Sequence, residues 1–87
     1  MFTDEIKKQT CAESVLLEPR ECYDKAIIGV SNFQIVYDFE KLILSFMEYQ
    51  NCSLEDSLEW YYFNTDRALP YMGKYQPIIL VCEEEEA

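Results

Sequence analysis

Histidine is absent from this 87-residue chain, and glycine occurs only twice, at Gly29 and Gly73. Without histidine the usual Ser-His and Cys-His nucleophile systems cannot be assembled. Two isolated glycines cannot form a glycine-rich phosphate loop. No D-x-D-x-D-G segment exists to cage Ca²⁺ or Mg²⁺. The four cysteines, Cys11, Cys22, Cys52 and Cys82, are separated by 10, 29 and 29 intervening residues, with no C-x-x-C pair among them. Structural zinc sites use closer pairs, so no metal and no cofactor are expected. No apolar run approaches the ~20 residues of a bilayer span. The first ten residues include Asp4 and Glu5 and no apolar h-region. The expectation is a cytoplasmic protein whose cysteines stay free thiols in a reducing compartment.

Acidic residues are plentiful: 17 against 7 basic ones, for a net charge of −10. Four of them form the run Glu83 to Glu86; removing those four from −10 leaves −6 on the body. Direct nucleic-acid binding is not expected, because phosphate contacts need clustered Lys and Arg. The same field repels an anionic membrane surface. Close carboxylate pairs arise by chance among so many acids, so they give no catalytic signal. The chain reads as not an enzyme. Hydrophobic residues make up 49% and aromatics 15% of the sequence, enough for a real core. At this length there is one domain, residues 1–87, with a loosely ordered or loosely helical start over 1–12 and a solvated acidic tail over 83–87.

Residues 13–18 could form a short strand ended by Pro19. Ala26-Ile27-Ile28-Gly29-Val30 and Phe33-Gln34-Ile35-Val36-Tyr37 read as two strands of a hairpin, turning at Ser31-Asn32. Asp38 then caps a helix whose Phe39, Leu42, Ile43, Phe46 and Met47 share one face, and which fades near Gln50-Asn51. Asp38, Lys41, Ser45 and Glu48 fall mostly on the other face. Ser53, with Asp56 three residues on, caps a second helix running from Leu54 to Leu69 and stopped by Pro70. Gly73 marks a turn, and Pro77 to Cys82 make the last strand. The predicted fold class is α+β: a small, mostly antiparallel sheet of three or four strands, order β-β-α-α-β, with a helical hairpin on one face. The first and last strands are apolar on both faces, whereas a sheet with one solvated face should alternate. That favours a homodimer, unless the first 24 residues wrap the second face.

On the second helix, Leu54, Leu58, Tyr61, Tyr62, Thr65 and Leu69 should form the core stripe, leaving Trp60, Phe63 and Arg67 together on the opposite face. Trp and Arg are frequent interface anchors, so this is a candidate contact patch. Equally, Trp60 and Phe63 could pack beneath neighbouring segments, and Arg67 could simply stack on Phe63. The loop from Leu69 to Pro77, with Tyr71 and Tyr75, is a second candidate contact; its rings could instead cap helix ends.

Four stretches resemble a family of short acidic uncharacterised proteins encoded in bacteriophages, prophages and bacterial genomes. They are Tyr23 to Val30, Val36 to Leu42, Asn64 to Tyr71, and Pro77-Ile78-Ile79. The likeness covers residues 15–81. It implies a phage or bacterial origin and a cytosolic setting, and it carries no catalytic residues. The expected function is a non-enzymatic protein-binding module that occupies a partner surface through Trp60, Phe63, Arg67, Tyr71 and Tyr75, with the protein partner unidentified and the module itself homodimeric. One alternative is an acidic DNA mimic that blocks a nuclease or DNA-binding protein. The other is a small metal site or enzyme built on carboxylates and thiols.

Overall fold

The computed structural model describes residues 3–81. The acidic run Glu83–Glu86 and Cys82 lie outside the described residues. The elements are α1 (Asp4–Lys8), α2 (Arg20–Tyr23) with a 3-10 turn at Asp24–Ala26, β1 (Ile27–Ser31), β2 (Gln34–Asp38), α3 (Phe39–Gln50), α4 (Leu54–Trp60) running on as a π-helix (Tyr61–Asp66), a 3-10 turn (Leu69–Tyr71) and β3 (Ile78–Leu80). The class is α+β, and the sheet has three strands in the order β1-β2-β3.

Of its two pairings, β1 with β2 is antiparallel and β2 with β3 is parallel. The parallel pair follows from the helices between them: a strand can lie parallel to its neighbour only after a crossover long enough to bring the chain back to the starting end. The hairpin turn falls at Asn32 and Phe33, with φ of 50° and 69°, one residue later than Ser31-Asn32. Phe33 therefore belongs to the turn and not to β2. Positive φ at both central positions is what a two-residue hairpin needs to match the twist of its strands.

Residues 13–18 do not form a strand. Their backbone is tied down at separate points instead: the Val15 N–H donates to the Tyr75 carbonyl at 3.4 Å, and the Leu17 N–H to the Tyr37 hydroxyl at 2.8 Å. Pro19 does not end a strand there but begins α2, as its N-cap. The amphipathic stretch of α3 is as the spacing predicts, with Leu42, Ile43 and Phe46 buried and Phe39 and Met47 half-buried. Two details differ. Ser45 is buried, and Asp38 occupies the N-cap position without a side-chain cap bond, being also the last residue of β2.

The core joins Ile27, Ile35 and Tyr37 of the sheet to Leu42, Ile43, Phe46 and Tyr61 of the helices. The N-terminal segment enters this same core through Leu17, Cys22, Tyr23 and Ala26. Register puts Tyr37, Ile27 and Ile79 on the core side and Val36, Gly29 and Ile78 on the other. On that outer side Ile28 and Leu80 are exposed, and a Cβ added at Gly29 would meet nothing within 4 Å. Among the described residues no helix is long and apolar enough to cross a membrane.

Candidate functional site

The Ser53 hydroxyl accepts the Asp56 N–H at 3.1 Å and starts α4 as expected. The helix does not continue regularly to Leu69. From Tyr61 to Asp66 it widens into a π-helix, and Pro70 sits inside the following 3-10 turn and does not end the helical path before it. An α-turn advances residue i+4 by about 40°, whereas a π-turn of roughly 4.4 residues carries it back by about 30°. The two offsets cancel, so Ser57, Tyr61 and Thr65 line up as the buried edge. The predicted stripe is corrected accordingly: Leu54 and Tyr62 are half-exposed, and Ser57, a small polar residue, is fully buried. Its hydroxyl donates to the Ile43 carbonyl at 2.9 Å, which lets α4 approach α3 closely.

The candidate patch starts on the flank of that edge, at Trp60, and runs to the outward side at Phe63. Trp60 is 47% exposed and Phe63 56%. One face of the indole lies on Phe46, centroids 5.3 Å apart and planes 16° apart, and Phe46 stacks in turn on Tyr23 at 6.2 Å. Trp60 is thus anchored in the core and open at the surface at once. The Arg67 guanidinium sits over the Phe63 ring at 4.8 Å. Trp60 and Phe63 line one shallow cavity with Asp56, Glu59 and Asn64. On its other side Trp60 borders a cleft formed with Leu16, Tyr23, Thr65 and Met72.

Tyr71 and Tyr75 belong elsewhere. Tyr71 is 89% exposed at the end of the 3-10 turn. Tyr75 is half-buried and meets Phe33 edge-on, centroids 5.6 Å apart, with the Lys74 ammonium over its other side at 5.3 Å. The Ser14 hydroxyl donates to the Phe33 carbonyl at 2.6 Å, and the Gln34 amide to the Gln76 carbonyl at 2.8 Å. That loop is tied to the hairpin tip, so the structure groups Trp60, Phe63 and Arg67 and sets the tyrosine loop apart from them.

The spacing puts Tyr62 in the core, yet it is half-exposed and lines a groove with Phe39, Tyr61, Leu69 and Ile79 beside the edge strand β3. Only the placement of β3 at the sheet edge creates this groove, and no local pattern in the sequence signals it.

Cys11, Cys22 and Cys52 are free, and burial pushes the Cys22 thiol up from its ordinary value. Burial also raises Tyr23, Tyr37 and Tyr61, each to about 12. Among the described residues no three His, Cys, Asp or Glu side chains gather as a metal site. The chain matches no protein-family model, no curated protein and no solved structure.

Proposed function

We propose that this chain is a non-enzymatic, cytoplasmic protein-binding module that acts by steric occupation of a partner surface. The observation that carries the reading is the pairing of Trp60 and Phe63, both about half exposed on one helix face, with the indole fixed from behind by Phe46. A ring held in one orientation loses little conformational freedom on binding, which is the usual property of an interface anchor. Arg67 belongs to the same surface. Tyr71 and Tyr75 would act as a separate, secondary contact. The resemblance to short acidic phage and bacterial proteins agrees with a soluble binding protein.

The test is capture from bacterial lysate by the native protein beside Phe63→Ala and Trp60→Ala/Phe63→Ala. A defined partner held by the native form and lost by Phe63→Ala supports the reading. A nuclease or DNA-binding protein held equally by all forms and released by moderate salt would replace it with mimicry of DNA.

A second reading concerns self-association, and it rests on a different surface. The helix pair, taken as a hairpin, covers one face of the sheet. The other face presents Ile28, Val36, Ile78 and Leu80 around the open space at Gly29. We propose this apolar face as the contact of a homodimer. Sedimentation of the native protein and of Leu80→Lys is the check: a dimer that the lysine turns into a monomer supports it, and a native monomer ends it.

A further inference from the structure

We infer that the Trp60–Phe63 face takes up arginine or lysine side chains from a basic partner protein. This rests on the docking role proposed above and adds the chemistry of what docks. The ion pairs among the described residues are Glu5–Lys8, Arg20–Asp24 and Lys25–Glu48. None includes Asp56 or Glu59, although both carboxylates line the cavity beside the two rings. The nearest cation along the helix, Arg67, is already held over Phe63. Two exposed ring surfaces flanked by two carboxylates that form no ion pair among the described residues complement one kind of group: an apolar stem ending in a positive charge. The stem lies on the rings, and the guanidinium or ammonium reaches the carboxylates. The contact between Arg67 and Phe63 displays half of that arrangement within the chain itself.

Charge decides among the occupants. A second copy placed here across a two-fold axis would set Asp56 and Glu59 against their own equivalents. Nucleic acid would meet the same two carboxylates and a chain of net charge −10. A basic protein segment meets neither obstacle, and the net charge speeds its approach at low salt.

Trp60 is the chain's one tryptophan, so its emission reports on this site directly. The full-length protein is titrated with a short synthetic peptide alternating arginine and leucine, and with the same peptide carrying glutamine for arginine. The arginine peptide is expected to shift Trp60 emission saturably and to bind about threefold to tenfold tighter, a preference that fades with salt. Asp56→Asn/Glu59→Gln should abolish the preference, while Glu5→Gln/Glu13→Gln, the same charge change elsewhere, should keep it. Equal binding of the two peptides, or a preference that survives Asp56→Asn/Glu59→Gln, overturns the cation inference and leaves the docking role standing if Phe63→Ala still weakens both peptides. A preference lost equally in Glu5→Gln/Glu13→Gln assigns it to overall charge and overturns the inference too. If neither peptide shifts the emission, the inference falls, and the docking role is judged by the Phe63→Ala capture alone.

Discussion

Trp60 lies flat on Phe46, with ring centroids 5.3 Å apart and planes within 16° of parallel, so a residue at the surface of α4 is also the last ring of a stack that begins at Tyr23 in the core. Its removal should therefore cost stability as well as binding. The stack contributes about 0.5–1.5 kcal/mol, and the buried half of the indole adds about as much again. Phe63 is the more exposed of the two and the smaller, and its contact with Arg67 is worth about 0.5–1 kcal/mol at an exposed site. In urea unfolding, Trp60→Ala should lower stability by about 2 kcal/mol and Phe63→Ala by less than about 1 kcal/mol. Equal losses would mean that the stack does not anchor the indole. The same ordering makes Phe63→Ala the cleaner probe of docking.

Ser57 fixes how closely α4 rides on α3. Its hydroxyl is fully buried and donates to the Ile43 carbonyl at 2.9 Å. Ser57→Ala removes one buried hydrogen bond with little change of volume, and should cost about 1 kcal/mol. Ser57→Leu forces a large side chain into a fully packed contact and should cost about 1–3 kcal/mol or more. Thermal or urea unfolding of the pair checks both; a tolerated Ser57→Leu would show that the helix contact is loose.

How much of this was legible in the sequence follows from which residues carry local information. The apolar face of α3 and the Ser53 cap are local patterns, and both appear where the periodicity puts them. The exposure of Phe63 follows from its place opposite Tyr61 and Thr65 under either helical pitch, whereas the spacing left Trp60 open between surface and core, and the structure gives it a share of both. The widening at Tyr61–Asp66 was not legible. It changes the angle per residue without any proline or glycine to mark it, so a uniform helical pitch puts Tyr62 on the core stripe and Ser57 off it, the reverse of what the structure shows. The segment from Leu17 to Ala26 contributes four core residues yet shows no strand or long-helix period, since only a four-residue helix and a 3-10 turn hold it. The parallel placement of β3 depends on contacts with β2 some 40 positions earlier in the chain, which no window of sequence contains.

The hairpin tip offers a contrast of substitutions. Phe33 holds φ of 69°, a region that costs a side chain with a Cβ about 1 kcal/mol relative to glycine. Its ring recovers part of that against Tyr75, at 5.6 Å. Phe33→Ala keeps the strained backbone and loses the ring contact, whereas Phe33→Gly loses the contact and relieves the strain. Phe33→Ala should therefore be the less stable of the two by about 1 kcal/mol. The reverse order in urea unfolding would mean that the turn does not hold Phe33 at positive φ.

Alkaline pH should unfold the protein through its buried phenols. Tyr23, Tyr37 and Tyr61 are each raised to about 12, chiefly because burial disfavours the phenolate, against an ordinary value of 10. Above pH 10 the unfolded chain ionises these rings while the folded chain keeps them protonated. The unfolded state then binds fewer protons, so stability falls as pH rises. The contribution is fully present below pH 10 and is lost through pH 12, on the order of 2 kcal/mol for each ring. For Tyr37 the hydrogen bond from the Leu17 N–H to its hydroxyl favours the phenolate, and burial outweighs it. Tyrosinate absorbance and far-ultraviolet circular dichroism, followed together from pH 9 upward, give the check. A group of tyrosines that ionises only as the helical signal collapses is the expected result. Ionisation of all seven tyrosines near pH 10 with the fold intact would show that these rings are reached by solvent. Tyr37→Phe, which removes the ionisable group and leaves the Leu17 N–H without its acceptor, should lower stability at neutral pH by about 1 kcal/mol and make the alkaline loss shallower.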